Sequence, residues 1–80
     1  MRWYEMLLKR KKLNNHYLTP QQYRVLRLMA EGQCNKEIAM NLGISYQTAK
    51  NHTSAVLRAM GAHNRTDAVL KGIKQGIVNI

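Results

Sequence analysis

Hydrophobic residues recur along the chain with the period of an α-helix, most clearly in SYQTAKNHTSAVLRAMG, residues 45–61. At about 100° per residue, one side of this segment carries the predicted core positions Ala49, His52, Val56 and Met60. The opposite side carries only polar and basic residues, namely Gln47, Lys50, Asn51, Ser54 and Arg58. Ser45 is a good N-cap, and Gly61 follows the last apolar position. The pattern predicts a helix over Ser45–Met60 with one buried face and one acid-free polar face.

An earlier helix is predicted to begin at Pro20 and to end before Gly32. Thr19 is its expected N-cap, and Gln22 completes a capping box in which each residue satisfies a backbone N–H group of the other. The positions that follow the core spacing are Gln22, Val25, Leu26 and Met29. This helix is therefore expected to pack its later turns into the core.

A short helix is predicted within NKEIAMNLG, residues 35–43, with Asn35 or, less favourably, Cys34 as its N-cap. Its apolar face carries Ile38, Ala39 and Leu42. A joint of a few residues that contains Gly43 leads to Ser45. Two helices connected through such a glycine-containing turn predict a helix-turn-helix, in which the second helix is the one that enters the major groove of DNA.

The last predicted helix begins near Arg65, after an N-cap at Asn64, and ends at Gly76. Its apolar side carries Ala68, Val69, Gly72 and Ile73. A glycine inside a helix costs about 1 kcal/mol relative to alanine. Gly72 therefore indicates the close approach of another helix, either from a second copy of the chain or from the domain's own core. The methionines Met29, Met40 and Met60 are interpreted as core residues.

Residues 1–17 are predicted to form a separate basic amphipathic helix and linker, and residues 18–80 the main domain. The helix would run from about Arg2 to Leu13, with an apolar side that carries Trp3, Met6, Leu7 and Leu13. No strand-like alternation occurs. The expected fold class is all-α, a four-helix helix-turn-helix domain with an additional N-terminal helix.

The balance of charge indicates a polyanionic partner. The chain has 80 residues, with 13 Lys and Arg against 4 Asp and Glu, which gives a net charge of +9 and a pI near 10.2. Nucleic acid is the first partner class for such a balance, and an anionic membrane surface is the second. A domain of this size buries only about 60% of its unfolded surface, so a partner subunit would add to its stability.

Catalytic, metal and membrane functions find little support in the sequence. Cys34 is the single cysteine, and the three histidines have no metal-ligand spacing with it. The four side-chain carboxylates form no recognisable pair with a base, so an enzyme is not expected and no cofactor is implied. No apolar run approaches the roughly 20 residues that span a bilayer, and the start is not a signal peptide. The expected location is the cytoplasm.

Residues 18–69, LTPQQYRVLRLMAEGQCNKEIAMNLGISYQTAKNHTSAVLRAMGAHNRTDAV, resemble the DNA-binding domain of the LuxR/GerE family of bacterial transcription regulators. The resemblance is carried by an ordered series of matches that includes Asn35–Ala39, Ile44–Ser45, Thr48, Lys50, His52, Gly61 and Arg65–Thr66. The chain departs from the family's pattern at Gln21, Gln22 and Arg24, where the family usually has charged residues that include acids, and at Ala49, where valine is usual. The resemblance implies a DNA-binding transcription regulator.

The resemblance also implies which residues contact DNA. The base-reading positions of the family correspond here to Lys50, Asn51 and Ser54. Lysine can donate to guanine O6 and N7, and asparagine can pair with adenine N6 and N7. Contacts with the DNA backbone are expected from Lys36, Tyr46, Gln47, Thr48, His52 and Arg58. In the family the last helix forms the dimer contact, which points to Val69, Gly72 and Ile73.

The sequence thus predicts a bacterial or phage-encoded, nucleoid-associated regulator that binds specific sequences of double-stranded DNA as a homodimer. At 80 residues the chain is expected to stand alone, without a receiver or a small-molecule ligand domain. One alternative is a module like sigma-factor region four, which would bind RNA polymerase, although GAHNRTDAV (residues 61–69) argues against it. Another is an interaction protein that uses its N-terminal helix to bind a partner. The operator, the genes controlled, the sign of control and the control of its own activity are open.

Overall fold

The computed structural model describes residues 18–79, which contain four α-helices. They are α1 (Pro20–Ala30), α2 (Asn35–Leu42), α3 (Tyr46–Met60) and α4 (Arg65–Lys74). The central helix is α3, which packs against the other three, and α1 also contacts α2 and α4. The predicted all-α helix-turn-helix domain is confirmed. The predicted N-terminal helix and the Trp3–Met6–Leu7 surface lie outside the described residues.

The helix starts at Thr19 and Ser45 form through local hydrogen bonds, as predicted. The Thr19 Oγ1 atom accepts a hydrogen bond from the Gln22 backbone N–H at 3.1 Å, and the Gln22 side chain accepts one from the Thr19 N–H at 3.1 Å. In the same way, the Ser45 hydroxyl oxygen accepts from the Thr48 N–H at 3.0 Å. Each cap satisfies backbone donors that have no partner inside the helix.

The start of α2 differs from the favoured prediction, because Cys34 and not Asn35 is the N-cap. The Glu37 carboxylate accepts a hydrogen bond from the Cys34 backbone N–H at 2.8 Å. The Asn35 side chain is engaged elsewhere, since its Oδ1 atom accepts from the Arg65 guanidinium at 2.6 Å. The Asn35 side chain is therefore bonded to a partner 30 residues along the chain and does not cap the helix.

The joint between α2 and α3 is a tight turn that contains Gly43. Gly43 has φ 65°, a left-handed conformation that costs glycine little and other residues more. The Ile44 N–H then donates to the Ala39 carbonyl at 3.0 Å, which closes the turn. The next residue, Ser45, caps α3. Two short-range features therefore set the helix-turn-helix geometry.

The core lies between α3 and the other helices, and all four helices contribute to it. Its buried apolar residues are Val25, Leu26, Met29, Ile38, Ala39, Ala49, Val56, Met60, Ala68 and Val78. His52 on the predicted buried side of α3 is half-buried, and Thr53, which the sequence pattern did not select, is buried. The Thr53 hydroxyl donates to the Lys50 carbonyl at 2.9 Å, so its burial leaves no polar atom unsatisfied.

One methionine interpreted as a core residue lies at the surface. Met29 and Met60 are buried, whereas Met40 is 77% exposed. At about 100° per residue, Met40 lies on the side of α2 opposite Ile38 and Leu42, which face the core. The prediction was wrong for Met40 because it was based on the residue type, whereas the position of Met40 in the helical pattern already indicates the surface.

The close neighbours of Gly72 belong to its own domain. Gly72 is buried, and a Cβ atom at this position would lie 3.1 Å from the Leu26 Cδ2 atom and 3.1 Å from the Val78 Cγ2 atom. The chain after α4 folds back over it, because the Ile77 N–H donates to the Gly72 carbonyl at 2.8 Å. The sequence left two explanations for a glycine here, contact with a second copy of the chain or packing against the domain's own core. The structure supports the second.

Candidate nucleic-acid interface

The outer face of α3 presents every residue that was predicted to contact bases. Lys50, Asn51 and Ser54 are all exposed. The residues of α3 predicted to contact the DNA backbone divide into two groups. Tyr46, Gln47 and Arg58 are exposed, whereas Thr48 and His52 are half-buried at the edge of the face. The helix therefore has one continuous polar face, opposite its buried residues, that is open to a partner.

No acidic residue lies on this face, and none occurs in the sequence between Glu37 and Asp67. These two flanking carboxylates each accept a hydrogen bond from a backbone N–H, from Cys34 at 2.8 Å and from His63 at 2.9 Å. The backbone hydrogen bond is the main reason why the pKa of each carboxylate lies below its ordinary value. The acids nearest in sequence to the outer face of α3 are thus engaged with the starts of α2 and α4.

Two pairs of side chains, each one helical turn apart, order the first half of the outer face. The Lys50 Nζ atom lies 5.5 Å from the centroid of the Tyr46 ring, within the range of a cation–π interaction. The Gln47 Nε2 atom donates a hydrogen bond to the Asn51 Oδ1 atom at 3.0 Å. Pairs one turn apart on a helix contribute about 0.2–0.5 kcal/mol each, so these contacts favour the observed positions of the second-turn side chains.

A shallow groove brings the start of α2 and the start of α3 together. Lys36 from α2 and Tyr46 from α3 both line this groove, beside the backbone of residues 32–35. Backbone N–H groups at a helix start and a nearby lysine favour an anion such as phosphate. The structure thus places Lys36 beside Tyr46, at the start of the outer face of α3, although 10 residues separate the two in the sequence.

Arg65 holds the scaffold of this site together, a role that the sequence did not indicate. Its guanidinium donates to the Gln33 backbone carbonyl and to the Asn35 side chain, each at 2.6 Å. These bonds connect the start of α4 to the segment that precedes α2. The only signal for this role in the sequence was the position of Arg65 within the Arg65–Thr66 match to the LuxR/GerE pattern.

The predicted dimer residues divide between the core and the surface of α4. Val69 and Ile73 are half-buried, but Gly72 is buried against Leu26 and Val78 and presents no surface to a partner. A residue not selected from the sequence, Leu70, is 52% exposed and lies one helical turn from Ile73. The exposed apolar surface of α4 therefore centres on Leu70.

Two general features of residues 18–79 bear on the class of site. None of the helices described in this range is both long enough and apolar enough to cross a membrane. The same residues contain no group of three or more His, Cys, Asp or Glu side chains that could hold a metal ion.

Comparisons with known proteins agree with this geometry. The family model described as "Bacterial regulatory proteins, luxR family" matches residues 16–71. Similar proteins include the transcriptional regulatory protein DegU of Brevibacillus brevis, 43% identical over 65 residues, which cover 81% of this chain and 28% of DegU. The glycerol metabolism activator of Pseudomonas putida is 49% identical over 53 residues, which cover 66% of this chain and 24% of the activator. The chain thus spans only about a quarter of the length of these two relatives.

The same fold occurs in a solved structure. The structure of the transcription factor GerE superposes with a TM-score of 0.71 at 27% sequence identity, and the match covers 78% of this chain and 92% of GerE. Because the family model matches most of the chain, and because the four helices of the described residues have the GerE arrangement, membership rests on sequence and structure together. The chain belongs to the luxR family of bacterial regulatory proteins, a family of DNA-binding transcription regulators and not of enzymes.

Proposed function

We propose that α3 enters the major groove of double-stranded DNA and reads a specific sequence there. The observation that carries this proposal is the exposed, acid-free outer face of α3, with Lys50, Asn51 and Ser54 at its centre. The major groove of B-DNA is wide enough for a helix, and its base edges present a distinct pattern of donors and acceptors for each base pair. A face of donors and amides matches such edges.

Each of the three central residues has a chemical role in this proposal. The Lys50 ammonium group carries only donors, which suits the O6 and N7 acceptors of guanine. The Asn51 amide has both donors and an acceptor, which suits adenine. The Ser54 hydroxyl is short and can contact either type of base edge. Specificity would come from these contacts, and the remaining contacts would position the helix.

Positioning would come from a ring of residues around the centre of the face. Lys36 and Tyr46 flank the groove at the start of α2, where the Lys36 ammonium group could meet a phosphate oxygen. The other expected contacts with the DNA backbone are Gln47, Thr48, His52 and Arg58. Such contacts supply affinity without sequence information and make binding sensitive to salt.

The regulator is further proposed to act as a homodimer on the bacterial nucleoid, through the exposed surface of α4. Two observations support this. Leu70 exposes an apolar side chain between the half-buried Val69 and Ile73, and a domain of this size gains stability from additional burial. A two-fold dimer would place its recognition helices about 34 Å apart, one turn of the duplex. Among residues 18–79 no comparable feature supports contact with RNA polymerase, the partner that the sigma-factor alternative requires.

The test of DNA readout begins with the selection of bound sequences from a random duplex pool. The affinities of Lys50→Ala and Asn51→Ala are then measured for the selected site and for unrelated DNA. Loss of one good base contact costs roughly 1–3 kcal/mol. We expect each variant to lose that amount on the selected site and much less on unrelated DNA.

A control variant separates base contacts from charge. Lys74→Ala removes an exposed lysine from α4, so it lowers the net charge as Lys50→Ala does. We expect its effect to be small and equal on both DNAs. If the pool yields no enriched sequence, or if both α3 variants bind the selected site as the parent does, the proposed recognition face is wrong.

A further inference from the structure

Two amide side chains on the outer face of α3 are already joined to each other in the free protein. The Gln47 Nε2 atom donates to the Asn51 Oδ1 atom at 3.0 Å. Both residues are exposed and lie one helical turn apart, beside Lys50. Any base that meets Asn51 in the groove therefore meets an amide whose oxygen is already engaged by Gln47.

The hydrogen bond within the pair determines what the pair can still offer to DNA. An amide has one carbonyl acceptor and one NH₂ donor group. With one lone pair of the Asn51 oxygen engaged, the Asn51 NH₂ group and the Gln47 carbonyl oxygen are the groups without a partner in the pair. If both amides rotated by 180°, Asn51 would donate to Gln47 and the two groups without a partner would exchange places. In either case one side chain of the pair has an NH₂ group, and the other a carbonyl oxygen, that is not used within the pair.

We propose that Gln47 and Asn51 form one reading unit for a single adenine in the major groove. Adenine is the base whose major-groove edge presents an acceptor, N7, next to a donor, the N6 amino group. The Asn51 NH₂ group would donate to N7, and the Gln47 carbonyl would accept from the N6 amino group. Guanine offers two acceptors, cytosine a single donor, and thymine an acceptor and a methyl group. None of these matches one donor beside one acceptor.

This inference rests on the proposed insertion of α3 into the major groove, and it changes the role of Gln47. The sequence placed Gln47 among the backbone contacts and gave the adenine contact to Asn51 alone. For Asn51 to make both contacts with adenine by itself, its oxygen would have to accept from Gln47 and from the N6 amino group at the same time. In the proposed reading unit the acceptor for the N6 amino group is instead the Gln47 carbonyl oxygen, which has no partner within the pair, so Gln47 becomes a specificity-determining residue.

The first experiment uses the parent's selected site with base analogues at its adenines. 7-Deazaadenine lacks the N7 acceptor, and purine lacks the N6 amino group. At one adenine we expect each analogue to weaken binding of the parent about fivefold or more, as for the loss of part of a bidentate contact. Gln47→Ala should become insensitive to loss of the amino group, and Asn51→Ala to loss of N7. If Gln47→Ala keeps both penalties, Asn51 reads the base alone and the proposal is overturned.

The second experiment changes the base that is preferred. In Asn51→Asp the carboxylate can still accept from Gln47, but the donor of residue 51 is lost and an acceptor takes its place. Acceptors suit the N4 amino group of cytosine. We expect the preference at this single position to move from adenine to cytosine by about tenfold, with other positions unchanged. A purely structural role for the pair would not alter the identity of a preferred base.

Asn79→Asp provides the matched control, since Asn79 is exposed, lies outside α3 and acquires the same charge. It should lower affinity at most uniformly and keep adenine. An Asn51→Asp protein that still prefers adenine at every position would overturn the reading unit. Failure of the parent to enrich any sequence would overturn the proposed function instead, so the two failures are distinguishable.

Discussion

At the scale of single residues, the packing around Gly72 separates two explanations that the sequence left open. Glycine is unfavourable inside a helix, so its presence indicates close contact on some side. The contact is internal, because Leu26 and Val78 lie 3.1 Å from the position of a Cβ atom. The glycine indicated that another part of the protein packs closely against this helix. Only the folded chain identifies Leu26 as a neighbour, since it lies 46 residues away in the sequence.

The internal contact predicts that Gly72→Leu destabilises the domain itself. Leucine favours a helix over glycine by about 1 kcal/mol, but overpacking a filled core costs typically about 1–3 kcal/mol, and here a whole side chain is added. We expect a net loss of at least about 1 kcal/mol in the free energy of unfolding, measured by urea titration. Gly72→Ala is the control and should change stability less, because the two side-chain methyl groups can shift by a few tenths of an ångström. An unchanged urea midpoint for Gly72→Leu would contradict the internal packing.

At the scale of helices, local signals fix where an element begins, and distant contacts fix how elements meet. Thr19 and Ser45 cap their helices through partners three residues away, which is why the sequence predicted both starts. The orientation of α4 against the segment before α2 depends instead on Arg65, whose partners Gln33 and Asn35 lie 32 and 30 residues away. The helical periodicity of the sequence contains no information about contacts between residues so far apart.

This bridge between elements predicts a specific ranking of Arg65 variants. A charged hydrogen bond contributes roughly 1.5–3 kcal/mol, so Arg65→Ala should lower the free energy of unfolding by about that amount or more. Arg65→Lys should recover only part of the loss, because a single ammonium group cannot reproduce the fork of the guanidinium. Arg58→Ala, at an exposed arginine of α3, should stay within about 0.5 kcal/mol of the parent. Thermal or urea unfolding measures all three, and an Arg65→Ala protein as stable as the parent would remove Arg65 from the scaffold.

At the scale of the whole molecule, the fold was more predictable than the arrangement of the site. The fold follows from caps, glycine turns and a helical stripe, and all of these are local. The site depends also on how separate segments meet, as the starts of α2 and α3 do at the groove between Lys36 and Tyr46. It depends further on which side chains are exposed and which of them contact each other. Met40 was placed in the core but is exposed, and Leu70 was overlooked although it is the most exposed apolar residue of α4. The bond between Gln47 and Asn51 was not foreseen, because the spacing allows it without requiring it.

The exposed surface of α4 leads to the last prediction, which concerns assembly. If two copies meet through Leu70, Val69 and Ile73, Leu70→Lys would place a charge within an apolar contact, where burial of an unpaired charge is costly. Leu70 is 52% exposed, so the monomer itself should stay folded. We expect this variant to keep its helical circular dichroism, to sediment as a monomer, and to lose affinity for DNA with two half-sites more than for a single half-site.

Met40→Lys is the control, because it also replaces an exposed apolar side chain with lysine, at a residue of α2 that is 77% exposed. The Met40→Lys protein should still sediment as a dimer. This control matters because any added charge raises solubility and could weaken association without touching an interface. A Leu70→Lys protein that remains dimeric would place the interface outside α4. Deletion of residues 1–12 would then test the N-terminal segment, because its predicted Trp3, Met6 and Leu7 surface is the other apolar candidate in the sequence. Dimerisation that survives this deletion as well would exclude both surfaces, so the pair of variants tests each one independently.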